Sequence, residues 1–223
     1  MIRLINSDFR NILAEILATE GKSKDIIIVS DPPFNIGYRY NKYKDNKTET
    51  EYFALMKAAF GKGKCVIIHY PETLYKISAA IGKIPNKVVS WVYNSNTPRQ
   101  HRDIAFFDIK PNFNQVRQPY KNIKDKRIIQ RIANGQKGGK LYDWWNVNQV
   151  KNVSKQKTEH PCQMPLEVMK NIIGILPKGI LVVDPFMGSG TTGVACAECG
   201  VDFLGIEIDK LYYDIANLRL KNV

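Results

Sequence analysis

Two stretches of this sequence set reactive side chains directly after apolar runs. Residues 26–34 read IIIVSDPPF, so a β-branched run ends in Asp31, two consecutive prolines and Phe34. Proline fixes φ and offers no N–H. Pro32 and Pro33 therefore forbid a helix, stiffen the chain and leave its carbonyls facing outward. A carboxylate, rigid carbonyls and an aromatic ring at a strand end are suited to positioning a ligand. The second stretch, residues 181–208, reads LVVDPFMGSGTTGVACAECGVDFLGIEI. Gly188, Gly190 and Gly193 satisfy G-x-G-x-x-G between an expected strand and helix, with Glu207 19 residues after Gly188, as in a dinucleotide fingerprint.

The ligand of that glycine loop is argued from charge. Asp184 stands just before the loop, where it would repel a pyrophosphate and suit a cation. S-adenosylmethionine carries an ammonium and a sulfonium, and its ribose hydroxyls suit an acid such as Glu207. No Lys follows the glycines, which excludes a Walker A loop. The loop reads as an S-adenosylmethionine site.

The elements needed to hold these groups alternate along the chain. Strands are expected at 2–5, 26–30, 65–68, 88–93, 104–109, 180–183 and 203–206. Helices are expected at about 8–19, 51–60, 72–81, 165–176, 191–199 and 210–220. Alternation of this kind predicts an α/β fold with a mainly parallel, seven-stranded sheet and helices on both faces. It fails from Pro111 to Lys157, where Gly135, Gly138 and Gly139 break a polar stretch that ends near Trp144-Trp145. The tryptophans with Ile128, Ile129 and Ile132 predict a small folded insertion there instead of a disordered linker.

Charge singles out the same segment. The chain has 223 residues and a net charge of +12. Residues 111–157 hold 11 Lys/Arg against only Asp125 and Asp143, so most of the excess sits in about a fifth of the chain. Such a patch is suited to a polyanion through counterion release. Four irregularly spaced cysteines point to a reducing, cytoplasmic setting. No apolar run approaches the roughly 20 residues of a membrane span, and the start MIRLINSDFRNILAEIL is amphipathic and contains acids, unlike a signal or transit peptide.

Together these motifs resemble the S-adenosylmethionine-dependent amino-methyltransferases of DNA. Asp31-Pro32-Pro33-Phe34 matches that family's D/N/S-P-P-Y/F tetrapeptide, and Asp184 to Thr192 its cofactor loop. Their order, with the basic segment between them, resembles the circularly permuted beta group and implies its Rossmann-like methyltransferase fold. By resemblance, the Asp31 carboxylate and the Pro32 carbonyl accept from the target amino group, Pro33 keeps that carbonyl aimed, and Phe34 stacks on the base. The base must be flipped out of the duplex, at roughly a few kcal/mol. Asn35, Tyr38, Tyr40 and Tyr43 could line its pocket or hold the displaced strand.

The resemblance also implies cofactor contacts at Asp8, Phe9, Asp31, His160, Pro161, Asp184, Phe186, Gly188, Ser189, Gly190, Thr191, Thr192 and Glu207. Asp8 is read either as a helix cap or as an acceptor from the cofactor's adenine. Met164 stands where the family more often has Lys. Residues 111–157 take the place of the target-recognition region. There Arg117, Lys121, Lys124, Lys126, Arg127, Arg131, Lys137 and Lys140 are the phosphate-contact candidates, and Asn112, Asn114, Gln115, Gln130, Asn134 and Gln136 the base-edge candidates.

Three signals are set aside. Pro161-Cys162-Gln163 spells a cytosine-C5 nucleophile motif but precedes the cofactor loop. Cys196 and Cys199 form a C-x-x-C inside an expected helix, with no second pair at metal spacing, so no metal is expected. His69 and His101 are assigned no role. The expectation is one methyltransferase domain, its catalytic half at 1–110, an insertion at 111–157 and its cofactor half at 158–223. The expected reaction is methylation of adenine N6 in duplex DNA. The alternatives are N4-cytosine methylation or a catalytically silent nucleic-acid-binding relative. A homodimer and a cognate restriction endonuclease, the latter not a physical partner, stay open.

Overall fold

The computed structural model describes residues 1–150, 158–160 and 162–223. In chain order the elements are β1 (Ile2–Asn6), α1 (Phe9–Glu20), β2 (Ile26–Ser30), α2 (Glu49–Phe60), β3 (Lys64–His69), α3 (Pro71–Ile81), β4 (Lys87–Val92) and β5 (His101–Phe107). Then come β6 (Arg117–Gln118), α4 (Lys126–Ala133), β7 (Gly139–Lys140), β8 (Trp144–Asn146), α5 (Leu166–Gly174), β9 (Leu181–Asp184), α6 (Thr191–Glu198), β10 (Asp202–Glu207) and α7 (Lys210–Lys221). Local chemistry sets many of their ends. Asp8 and Asp209 cap α1 and α7 through their carboxylates, Thr48 and Glu51 form a reciprocal capping box on α2, and Pro71 opens α3.

The main sheet runs β1-β10-β9-β2-β3-β5-β4-β8. β1, β10, β9, β2 and β3 are mutually parallel, β5 is antiparallel to β3 and to β4, and β8 pairs parallel with β4. The fold class is the expected one, but the sheet has eight strands, not seven. The eighth is supplied by the insertion. In β8, Trp145 points into the core at 3% exposed while Trp144 is 49% exposed, the period-2 alternation of a strand lying over a core. Leu141 is buried beside Trp145, and Phe113, Val116 and Val147 pack on the same core, so the insertion is anchored to the domain. A second, two-stranded sheet, β6-β7, and the helix α4, which buries no residue, complete it.

Both faces of the sheet are covered. Ile27, Val29, Val66 and Ile68 face one core with Val168, Met169 and Ile172 of α5 and Cys196 of α6. Ile28, Cys65 and Ile67 face the other with Leu13 of α1, Met56 of α2 and Ile77 of α3. Burial on both sides explains the unbroken apolar run of β2. Cys196 is core, as expected, and Cys199 is half-buried at the end of α6.

The winding also says where a ligand belongs. From β9 the chain crosses through α6 to β10 on one side, and from β2 through α2 to β3 on the other. The crevice beyond the carboxyl ends of β9 and β2 is therefore the topological switch point, where open α/β sheets bind ligands.

Candidate active site

Asp184 ends β9 and Asp31 directly follows β2, so the two motifs of the sequence meet at that crevice. The parallel neighbours deliver their own ends beside them: Ser7 and Asp8 after β1, Glu207 from β10, and His69 and Tyr70 at the end of β3. Because β5 runs the opposite way, its beginning arrives at this edge, with Asp103 opposite His69. That reversal delivers Arg102. A cavity of about 460 Å³ opens here, within the roughly 300–1,000 Å³ of small-molecule sites. Asp8, Phe9, Phe186, Gly188 and Glu207 line one part of it, Asp31, Pro32, Pro33, Phe34, Tyr70 and Arg102 another, with Tyr38, Tyr40 and Tyr43 contributing from the loop after β2.

The glycine loop is built by close approach. Gly188 has φ 53°, and a Cβ there would lie 2.9 Å from His160 Nε2. Gly190 has φ 78°, and its Cβ would lie 2.8 Å from that of Ala216 in α7. Asp184 is the loop's internal anchor. Its Oδ1 accepts from Ser30 Oγ at 2.6 Å and Phe186 N at 3.1 Å, and its Oδ2 from Thr192 Oγ1 at 2.6 Å. At 2% exposed it is enclosed by these three donors, and burial pushes its carboxyl up to about 6. Ser189, Gly190, Thr191 and Thr192 likewise lie behind the cavity wall. Arg219 Nη1 of α7 holds Ser189 O at 2.5 Å and Thr191 Oγ1 at 3.1 Å.

Of the expected cofactor residues, Asp8, Phe9, Asp31, His160, Phe186, Gly188 and Glu207 line the cavity. Glu207 accepts the N–H of Gly188 at 2.8 Å on Oε2 and of Asp209 at 2.9 Å on Oε1; burial nevertheless raises its carboxyl to about 7. Each oxygen keeps a lone pair for a hydroxyl donor. Asp209 Oδ2 is buried on the cavity wall with no hydrogen-bond partner among the described residues. Asp8 both caps α1 and binds the Arg10 guanidinium, at 2.5 Å from Nη2, and that contact holds its carboxyl below the usual range. Phe9 and Phe186 meet edge to face at 5.0 Å, and His160 meets Tyr212 likewise at 4.5 Å. Pro161 lies outside the described residues.

At the other part of the cavity, burial pushes the Asp31 carboxyl up to about 6, against the opposing pull of Arg102. Arg102 Nη1 lies 3.3 Å from Asp31 Oδ2 and 3.7 Å from the Met164 sulfur. Phe34 is tilted over the His69 ring at 4.2 Å. His69, given no role from the sequence, is fully buried in a relay. Its Nδ1 accepts the N–H of Tyr70 at 2.8 Å, which puts its proton on Nε2, 2.9 Å from the Tyr52 hydroxyl. Tyr52 in turn donates to the Pro33 carbonyl at 2.8 Å. Burial drops the His69 pKa to about 3 and raises that of Tyr52, so both stay neutral and the relay keeps one polarity. The loop that follows is organised by Asp45, 2% exposed, whose carboxylate accepts the N–H groups of Asn35 at 2.8 Å, Ile36 at 3.1 Å and Tyr38 at 3.0 Å. Asn35 spends its side chain on Lys47, accepting from its N and donating to its O, so it is a loop brace.

Arg102, Tyr52 and Asp45 were not singled out from the sequence. His69 carried a usable signal, an ionisable residue closing an apolar run, as Asp31 and Asp184 do. The eight basic candidates, Arg117 in β6, Lys126, Arg127 and Arg131 on α4, Lys140 in β7, and Lys121, Lys124 and Lys137 between, are all exposed. Lys151, Lys155 and Lys157 lie outside the described residues.

Comparison with known proteins decides the family. The family model described as DNA methylase matches residues 26–218. This chain belongs to that DNA methylase family. Its members draw their methyl group from S-adenosylmethionine, and the donor set fits that molecule. Phe9 and Phe186 would present aromatic surface to its adenine, Glu207 acceptors to its ribose, and the unpaired Oδ2 of Asp209 would be a further acceptor. The type II methyltransferase M.HpaI of Haemophilus parainfluenzae is 27% identical over 219 residues, 87% of this chain and 67% of the relative. M2.DpnII of Streptococcus pneumoniae is 40% identical over 85 residues, 38% of this chain and 32% of the relative, so the matches span about two thirds of one relative and a third of the other. The fold matches the M1.HpyAVI–SAM complex with a TM-score of 0.60 at 24% identity, covering 99% of this chain and 100% of that one. Among the described residues, no helix is long and apolar enough to cross a membrane and no cluster of metal-ligating side chains occurs.

Proposed function

We propose that this methylase transfers a methyl group from S-adenosylmethionine to the exocyclic N6 of an adenine flipped out of duplex DNA. The observation that carries the reading is the convergence of Asp31 and Phe34 with Glu207 and Gly188 on one cavity. Bound there, the cofactor would supply an electrophilic methyl group on sulfur. The chain's own part is to prepare the nucleophile. An amino group on a purine shares its lone pair with the ring, so the amine must be drawn toward tetrahedral geometry. The Asp31 carboxylate and the Pro32 carbonyl are the acceptors assigned to that task, and Phe34 the stacking surface. The Tyr52 hydroxyl occupies the neighbouring Pro33 carbonyl, which fixes the peptide next to the assigned acceptor. Such preorganisation is worth several kcal/mol of barrier. As the N–C bond forms, the methyl–sulfur bond would break with its electron pair left on sulfur, and the amine loses one proton to Asp31 or to solvent.

Asp at the first position of the tetrapeptide supports adenine over cytosine. We assign residues 111–157 to target recognition, with the exposed α4 presenting Lys126, Arg127 and Arg131 to phosphates. Incubation with labelled S-adenosylmethionine and duplex DNA, followed by digestion to nucleosides, should yield N6-methyladenine. N4-methylcytosine in its place would overturn the adenine assignment, and no labelled nucleoside the whole reading.

A further inference from the structure

Arg102 occupies both partners assigned to the target base. Its guanidinium carbon lies 4.6 Å from the centre of the Phe34 ring, and its Nη1 lies 3.3 and 3.5 Å from the two Asp31 oxygens. A planar, delocalised cation that stacks on an aromatic ring and donates N–H groups to a carboxylate imitates an amino-bearing heterocycle in shape and hydrogen-bond polarity. Building on the proposed function, we propose that Arg102 is the resident occupant of the target-base slot, its guanidinium filling the place between Phe34 and Asp31 until a flipped base exchanges with it.

The contact has the marks of an exchangeable one. An Arg–carboxylate pair that serves structure is commonly two-pronged, with N···O distances of roughly 2.7–2.9 Å. Here a single nitrogen reaches Asp31 at longer range, and the buried Nε of Arg102 has no hydrogen-bond partner among the described residues. Other aromatic surfaces lie within reach, since the guanidinium carbon is 5.3 Å from the Trp91 ring centre and 5.7 Å from that of Tyr70. Arg102 can therefore leave Phe34 and still keep a cation–π partner.

The arrangement answers a problem the empty slot would otherwise have. Asp31 is largely buried, and a carboxylate without a partner there would take up a proton and stop accepting from an amine. Asp184 of β9 is a second acid whose charge raises its pKa. The other titratable groups facing it are Tyr40, Tyr52, Tyr93 and Cys162, all pushed up by burial and neutral at pH 7, while neutral His69 faces Arg102. Arg102 is the cation among them that holds Asp31 charged before the base arrives.

The test is the pH dependence of kcat/KM, whose acid limb reports groups of the free enzyme. It uses a duplex carrying the site found by sequencing modified bases. Arg102→Gln should move the acid limb upward by about 1–3 pH units and, well above the limb, lower KM for DNA because the competitor is gone. Arg102→Lys, which keeps the charge, should leave the limb near its original position. A Gln variant with an unmoved limb and kcat/KM reduced equally at every pH would mean a structural role and overturn the proposal. A measurement on the unaltered enzyme covers a Gln variant that does not fold. With the demethylated cofactor product present, the Arg102 side-chain 15Nε resonance should shift on binding a duplex with the site and not one without it. An unchanged resonance overturns the exchange. If the unaltered enzyme methylates no DNA, the proposed function falls with it. If it does and only the Arg102 results fail, the function stands alone.

Discussion

Across the seam between β2 and β9, the Ser30 hydroxyl donates to the Asp184 carboxylate at 2.6 Å, tying the strand that leads into Asp31–Phe34 to the strand that leads into the glycine loop. Asp184 is thereby a joint between the two halves of the site. Its folded pKa, about 6, lies above the ordinary aspartate value of 3.8. The folded protein thus binds this proton more tightly than the unfolded chain, and the group's stabilisation is complete below pH 4 and lost as pH rises through 6. Asp184→Asn removes that dependence. In urea unfolding, the stability of the unaltered protein relative to the variant should fall between pH 4 and pH 7. A constant difference would contradict the assignment.

Asp31→Ala should reduce methyl transfer by at least about a hundredfold, the scale of removing one transition-state partner. Affinity for S-adenosylmethionine, measured by calorimetry, should change little. In the unaltered enzyme the rate should fall as pH drops through about 6, because protonated Asp31 no longer accepts from the amine. Retained turnover in the Ala variant would remove Asp31 from its role.

Tyr52→Phe deletes one oxygen and strands two partners, the part-buried Pro33 carbonyl and the buried His69 Nε2–H. Stability should fall by about 1–3 kcal/mol, the cost of leaving such groups unsatisfied. Turnover should fall more than cofactor affinity, since the relay braces the tetrapeptide and not the glycine loop. An equal fall in both would place the relay elsewhere in the mechanism.

Charge reversal at Lys124, Arg127 and Arg131 tests the insertion. All three are exposed and α4 buries no residue, so the fold should survive, as circular dichroism would show. DNA affinity should drop, and the slope of log K against log salt should flatten by about 0.9 for each phosphate that is no longer neutralised. Unaltered affinity would move the DNA grip to another surface.

Local chemistry alone determined a large part of this protein. The unbroken apolar run before Asp31, the paired prolines, the glycines before α6 and the caps at Asp8 and Asp209 are encoded within a few residues of where they act. A parallel α/β architecture and the two motifs at strand ends could therefore be read directly. Tertiary structure decided what those motifs touch. Arg102 reaches Asp31 because β5 runs antiparallel to β3 and starts where β3 ends, and strand direction leaves no trace in the sequence around residue 102. The Tyr52–His69 hydrogen bond joins a helix to a strand end, Asp184 turns inward because Ser30 and Thr192 close on it, and Trp145 becomes core because β8 finds the edge of β4. Each depends on pairing between segments far apart in the chain, where the energy of association is set by packing and not by neighbouring residues.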